Sequence, residues 1–256
     1  MNVGDYYIQI KGINNFSDVA EAAVEVRADS VVLTPGAPSV TINPANNQLY
    51  VYVSYTAATK NGFEILEHNI IYCNDGSVKD ASELKIDKVN DENIKIVSGR
   101  RGTNLRDFGK DVVAVGCAKV KNPEGEISYL YTDNIGYKGV TIGETTPSAV
   151  LNPNNNDEYV HVYFSCTVNS SDYTVEGKGL FYCNNGAVSA EELEAMTVEE
   201  AEANADVTVI PNKSGTNIRD FGDGVVAVGY EVVKNTSGQI GYIYTKNIGG
   251  SYADLA

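Results

Sequence analysis

The sequence predicts an all-β protein of two tandem β-sandwiches with short helical inserts, preceded by a β-hairpin. Length points that way first, since 256 residues suit about two domains, each large enough for its own core. An internal repeat then divides the chain. Residues 102–136 (GTNLRDFGKDVVAVGCAKVKNPEGEISYLYTDNIG) align without a gap on residues 215–249 (GTNIRDFGDGVVAVGYEVVKNTSGQIGYIYTKNIG), with 23 identities in 35 positions. Upstream, IIYCNDG at 70–76 matches LFYCNNG at 180–186, and Asn43-Pro44 recurs at Asn152-Pro153. The offset grows from 109 at the prolines to 113 in the long match, which places small insertions in loops of the second copy. Third, apolar residues in each copy alternate with period two, the spacing of a half-buried strand.

The elements follow in order. Residues 1–32 are read as a hairpin: 5–14 alternate, a turn follows at 14–18, and 20–26 alternate again. A lone hairpin is marginal in water. This one is expected to pack on the first repeat, pair with another chain, or close a preceding domain. In the first repeat, 33–141, residues 49–55 are aromatic and β-branched, as are 159–164 in the second repeat, 142–256. Residues 112–120 with 129–131, and 225–233 with 242–244, are strand pairs across the turn-forming loops KNPEGE and KNTSGQ. Short strands at this spacing, without long helices between them, indicate a sandwich rather than a parallel sheet. One segment per copy breaks the pattern. Ser189-Ala-Glu-Glu192 and Thr197-Val-Glu-Glu200 have capping-box spacing, which predicts one or two short helices over 189–204. Residues 80–85 (DASELK) are the first copy's counterpart, and both inserts are expected on the sandwich surface.

Composition narrows function. Apolar residues are 43% and charged residues 21%, which is not the composition of a disordered tail. No run approaches the ~18 apolar residues of a membrane helix, so no membrane insertion is expected, and MNVGDYYIQI lacks a signal peptide's basic-then-apolar order. A net charge of −15 repels phosphate backbones, so nucleic acid is not an expected partner. Two histidines, His68 and His161, leave little room for histidine-based catalysis or metal binding.

Tyr6-x-Ile8-x-Ile10-x-Gly12-x-Asn14, with the turn and strand after it, resembles the last hairpin of a fibronectin type III domain. Residues 105–120 and 218–233 are similar to the part of that fold where an apolar plug and a glycine turn precede the penultimate strand. SYLYTDNI and GYIYTKNI resemble closing strands of immunoglobulin-like modules strung along large bacterial surface proteins. Val112 and Val225 stand where that fold carries a corner tyrosine, and the chain has no tryptophan. The resemblance implies a spacer, adhesion or assembly role and carries over no catalytic residue.

The most conspicuous short motif is Arg106-Asp107-Phe108-Gly109, repeated as Arg219-Asp220-Phe221-Gly222. Asp-Phe-Gly holds magnesium in protein kinases, but the phosphate loop, strand lysine and catalytic loop of those enzymes are absent. The expected role is a strand-connecting turn. Leu105 or Ile218 plugs the core, Phe108 or Phe221 covers it, Gly109 or Gly222 turns the chain, and the Arg-Asp pairs pin loop carbonyls and amides. Asp107→Asn and Asp220→Asn are then both expected to lower stability. Cys73 and Cys183 are equivalent, but Cys117 matches Tyr230 and Cys166 matches Ala57, so a shared disulfide is excluded and buried thiols are expected. The amide-rich loops 45–48, 154–158 and 74–76 offer oxygen ligands without calcium-loop spacing, so turn residues are the plainer reading. Alternating tyrosines, Tyr50 with Tyr52 and Tyr129 with Tyr131, are expected in core or cross-strand packing rather than on a sugar platform. Glutamates 191, 192, 194, 199 and 200 read as a solvated helix face.

The expectation is a non-enzymatic structural or adhesive module of an extracellular or cell-surface assembly. It needs no cofactor and has no catalytic, cofactor-binding or metal-ligating residues. Expected partners are other proteins or copies of itself, with polysaccharide a further candidate. A phage virion decoration or fibre protein and a carbohydrate-binding accessory region are the alternatives. The missing signal order fits either a virion protein or an excerpt from a longer precursor.

Overall fold

Alternation at residues 49–55 becomes the centre of the first module. In strand β5 (Gln48–Thr59), Leu49, Val51, Val53 and Tyr55 are at most 2% exposed, while Tyr50, Tyr52 and Ser54 point to the other face. The structure, a computed structural model, describes the backbone of residues 5–11, 19–25, 31–89 and 93–256, and the side chains of the last two stretches. Strands β1 (Asp5–Lys11) and β2 (Val19–Glu25) pair antiparallel, with Asp5 opposite Glu25, as the hairpin expectation requires. What that hairpin's side chains pack against lies outside the described residues.

In the first copy, β3 (Val31–Pro35) and β4 (Ser39–Asn43) share one edge of β5, and β8 (Gly102–Asp107) runs along the other. The hydrogen bonds show the two edges: the Ser54 carbonyl accepts from the Gly36 amide, whereas the Tyr55 amide donates to the Arg101 carbonyl. The facing sheet has the order β10-β9-β6-β7, from β6 (Glu64–Cys73), β7 (Lys95–Ser98), β9 (Val113–Lys121) and β10 (Ile127–Tyr131).

The second copy repeats this arrangement. Strands β11 (Val140–Glu144), β12 (Ser148–Leu151) and β16 (Gly215–Arg219) pair with β13 (Glu158–Val168). They face β15 (Thr208–Pro211), β14 (Tyr173–Cys183), β17 (Val226–Asn235) and β18 (Ile240–Tyr244). Both copies are antiparallel sandwiches. Their first strands begin at Val31 and Val140, slightly ahead of the starts at 33 and 142 that the repeat suggests, because sequence similarity fades at this edge.

Identical residues recur where the same close contact recurs. A Cβ on Gly116 would lie 2.4 Å from the Tyr55 ring, and one on Gly229 would lie 2.4 Å from the Phe164 ring. Each glycine lets its sheet approach the large inward ring opposite. The Thr-x-Asn-Ile-Gly endings close the strands beside them. Thr132 Oγ1 accepts the Gly116 amide and Thr245 Oγ1 the Gly229 amide, both at 2.9 Å. Asn134 and Asn247 accept the Ala114 and Ala227 amides at 3.1 and 3.0 Å.

Strand β9 is buried continuously over 113–118, so both of its faces are covered. Ala114 faces the sandwich core beside Ile70, whereas Val113, Val115 and Cys117 face the insert. Short 3₁₀ turns at Ala81–Glu83 and Ile86–Lys88 seat the fully buried Leu84 there. In the second copy, α1 (Ala190–Ala195) and α2 (Val198–Ala203) bury Leu193 and Ala201 against Phe181, Val228 and Tyr230. The inserts therefore lie outside the sandwich as expected, but each builds a second small core and makes its module three layers thick. Tyr129 and Tyr131 pack into the first of these outer cores, whereas Tyr52 is 41% exposed on the opposite side of the module.

Both expected capping boxes form. The Glu192 amide donates to Ser189 Oγ while the Ser189 amide donates to the Glu192 carboxylate, and Thr197 with Glu200 repeats the exchange. Ser189→Ala should lower stability by about 1 kcal/mol, measured as a lower urea midpoint at unchanged slope. An unmoved midpoint would mean that the insert unfolds separately from its module.

Candidate functional site

The repeated turn follows β8 and β16, and a residue from the neighbouring loop holds it in each copy. Asn74 Nδ2 donates to the Arg106 carbonyl and Asn184 Nδ2 to the Arg219 carbonyl, both at 2.8 Å. This contact explains why the Cys-Asn motif and the Arg-Asp-Phe-Gly motif recur together. Leu105 and Ile218 are the expected plugs, each 2% exposed. Asp107 Oδ1 accepts the Gly109 amide at 2.9 Å, and Asp220 Oδ1 accepts the Gly222 and Gly224 amides at 2.8 and 3.0 Å. Gly109 and Gly222 both have positive φ, at 70° and 104°.

The phenylalanines depart from expectation. Phe108 and Phe221 do not cover the core but are 38% and 62% exposed. The backbone turns each ring outward, where the guanidinium of Arg106 or Arg219 lies 4.4 or 4.9 Å from its centroid. Among the described residues neither arginine side chain donates to a loop carbonyl. Arg219 pairs with Asp157 at 2.8 Å, and in the first copy Gln48 stands at the position of that aspartate.

The two aspartates sit in different surroundings. The first turn lies against the second module: a Cβ on Gly109 would be 2.2 Å from Ile243 and 2.9 Å from Ile142. Burial there, reinforced by the charge of Asp111, pushes the Asp107 carboxyl up to about 7 against the pull of nearby amides. The second turn meets the short helix α3 (Tyr252–Leu255), whose Tyr252 amide donates to Asp220 Oδ2 at 2.7 Å. Burial acts in the same direction there, but the Tyr252, Gly222 and Gly224 amides outweigh it and hold the Asp220 carboxyl below its ordinary range.

The junction is otherwise polar at its rim and apolar at its centre. The Gln239 side chain makes two bonds to Ile42, accepting from its amide at 3.3 Å and donating to its carbonyl at 3.0 Å. Lys110 Nζ meets Glu144 at 2.6 Å and the Ile142 carbonyl at 3.0 Å. In the linker, the Tyr137 hydroxyl meets Asp172 Oδ2 at 2.7 Å and Ser170 Oγ at 2.8 Å. Beside these contacts the modules enclose a cleft of about 720 Å³. Lys79, Lys95, Arg106 and Phe108 line it from the first module, and Glu194 and Tyr242 from the second. Sequence reading missed this cleft. Its one linear trace is a set of lysines in the first copy without counterparts in the second.

All four cysteines are free thiols. Cys73 and Cys183 donate to Asp75 and Asn185, closing the turns after them, while burial pushes the Cys117 and Cys166 thiols up to about 11. Among the described residues no group of three or more His, Cys, Asp or Glu side chains is placed to hold a metal ion. The amide-rich loops spend their oxygens on their own backbone, as where Asn46 and Asn155 accept the Gln48 and Asp157 amides. Nor is the glutamate face uniformly solvated, since Glu194 holds Lys246 Nζ and the Asn247 amide. His68 lies 3.2 Å from the Tyr55 hydroxyl and His161 lies 2.8 Å from Asn217 Oδ1.

Fold and junction define an all-β protein of two sandwich modules joined end to end. A scan against protein-family models finds no match to the chain, and no curated protein matches it.

Proposed function

We propose that this chain is a non-enzymatic structural or adhesive segment of an extracellular or cell-surface assembly, built from immunoglobulin-like or fibronectin-type-III-like modules. The observation that carries the reading is the asymmetry of the junction, because each outer end of the pair carries one half of it. At the far end of the second module, Leu151 and Phe221 are 49% and 62% exposed, and Leu151 stands where the junction buries Ile42 to 1%. At the near end of the first, Leu33, Phe63 and Leu130 occupy the positions of the junction residues Ile142, Tyr173 and Ile243. They form a half-covered apolar cluster around Val31. A head-to-tail contact that does not close on itself leaves such complementary ends and can propagate. Two facing antiparallel four-stranded sheets in each module support the family resemblance. A virion fibre would use the same contact.

The double variant Leu151→Asp/Phe221→Ser, at two exposed positions of one end, tests the assembly half of this reading. Light scattering should show concentration-dependent association of the full chain, lost in the variant while the thermal midpoint of the modules is retained. Monomers in both cases at high concentration would refute self-assembly.

A further inference from the structure

The two modules share a fold and a turn motif, but their matching faces differ in charge. At the second module's outer face the positions are Asp157, Ser189, Thr208 and Asp223. At the same places in the first module, which line the cleft, stand Gln48, Lys79, Lys95 and Lys110. Loop alignment and strand register agree on these matches: Tyr72 pairs with Lys95 as Tyr182 pairs with Thr208. Each change makes the cleft more positive in a chain whose net charge is −15. Asp75 in place of Asn185 goes the other way: its carboxylate accepts from Ser77 at 2.6 Å and Cys73 at 3.0 Å and keeps its charge, which acts on Lys95.

These cations are not all spent on folding. Lys110 is held by Glu144. By contrast Lys79, Lys95 and Arg106 are exposed, and no ion pair to any of them is found among the described residues. Among the described residues Lys95 donates to the amide oxygen of Asn74 at 3.2 Å and lies 6.0 Å from the Tyr72 ring centroid, and Arg106 lies over the Phe108 ring. Across the cleft Glu144 and Glu194 are bonded to lysines and backbone amides, whereas Glu199 is exposed near Tyr242. The cleft therefore presents Lys79, Lys95 and Arg106 on one wall, with Asp75 near Lys95, and an aromatic ring, Tyr242, with Glu199 on the other. Phe108 and the neutral amides of Asn46 and Asn47 lie at its floor and rim.

We propose that the junction cleft binds a short acidic saccharide. Its acid group sits among Lys79, Lys95 and Arg106, a sugar face lies on Phe108 or Tyr242, and its hydroxyls meet the asparagine side chains. The cleft volume falls in the range of small-ligand sites. A long polyanion is disfavoured because it would run on over the acidic surface. This inference goes beyond the spacer reading, and either can fail alone: association measures the chain's ends, whereas saccharide binding measures its middle.

Calorimetric titration of the full chain with trigalacturonate, a sulfated disaccharide, neutral trigalactose and inorganic phosphate tests it. At least one acidic saccharide should bind at least about tenfold more tightly than the neutral sugar, and more weakly as salt rises. The variant Lys79→Ser/Lys95→Thr, carrying the second module's residues at two exposed positions, should weaken that binding about tenfold or more without moving the thermal midpoint. Chemical-shift changes on titration should centre on Phe108 and Tyr242. The proposal is overturned if neither acidic saccharide binds at millimolar concentration or if the double variant binds as well as the parent. Equally tight binding of phosphate, or shifts centred elsewhere, would also overturn it.

Discussion

Replacing Gly109 with alanine is expected to cost about 3–5 kcal/mol, and the matching Gly222→Ala only roughly 1–2 kcal/mol. Both glycines have positive φ, so each substitution forces an L-residue into an unfavourable backbone region. Only at Gly109 does the new methyl meet atoms, 2.2 Å from Ile243 and 2.9 Å from Ile142, whereas at Gly222 nothing lies within 4 Å. The contacts at Gly109 are side-chain methyls of the second module in the interior of the junction. Relief therefore means parting the modules or shifting two strands. Urea denaturation of the two variants measures the difference directly. Gly109→Ala should also broaden the transition, as the modules lose their coupling and unfold less cooperatively. Equal costs with equally sharp transitions would show that the second module does not close over this turn.

The aspartate pair should respond oppositely to one substitution. Asp107→Asn keeps an oxygen for the Gly109 amide and removes a charge from a site where burial raises the carboxyl from about 3.8 to about 7. A raised folded-state value means that stability falls as pH rises from near 4 to near 7 and stays reduced above it. The asparagine variant should therefore exceed the parent by on the order of 2–4 kcal/mol at pH 8, and the gain should vanish below pH ~4. Asp220 is held below its ordinary value by three backbone amides on its two oxygens, so its contribution is present at neutral pH and is lost as pH falls through its depressed value. Asp220→Asn turns one of those acceptors into a donor facing an amide. It should destabilise by about 1–3 kcal/mol at pH 8 and converge on the parent in acid. Stability curves of both variants from pH 3 to pH 9 decide it. Destabilisation by both at pH 8, the expectation from the motif alone, would mean that the Asp107 carboxyl is solvated.

Much of the fold was legible because its signals are local. Period-two alternation in residues 49–55 identified the inward face of β5, since a strand's alternate side chains must take opposite sides. The spacing of Ser189 with Glu192 and of Thr197 with Glu200 located two helix starts, because an N-cap needs only the four residues that form it. Near-identity of the Thr-x-Asn-Ile-Gly endings marked a repeated structural task, which proved to be capping the amides of Gly116 and Gly229. The motif Arg-Asp-Phe-Gly was legible as a turn but not in its details. A buried phenylalanine was the natural expectation from hydrophobicity, and a backbone turn that aims Phe108 and Phe221 outward overrode it.

By itself the sequence determined the all-β class, the duplication, the plug residues and the helix caps, all of which depend on contacts within one copy. Tertiary structure alone decided what the two copies do not share. Asp107 and Asp220 occupy the same motif and nearly the same local geometry, yet burial wins at one and backbone amides at the other. A second module closes over the first turn, whereas the short helix α3 meets the second. Lys79, Lys95 and Arg106 likewise converge on one cleft although they are scattered along the chain. The physical reason is the same in both cases. Desolvation and charge are summed over neighbours in space, and at a module junction most of those neighbours are more than thirty residues away in the chain.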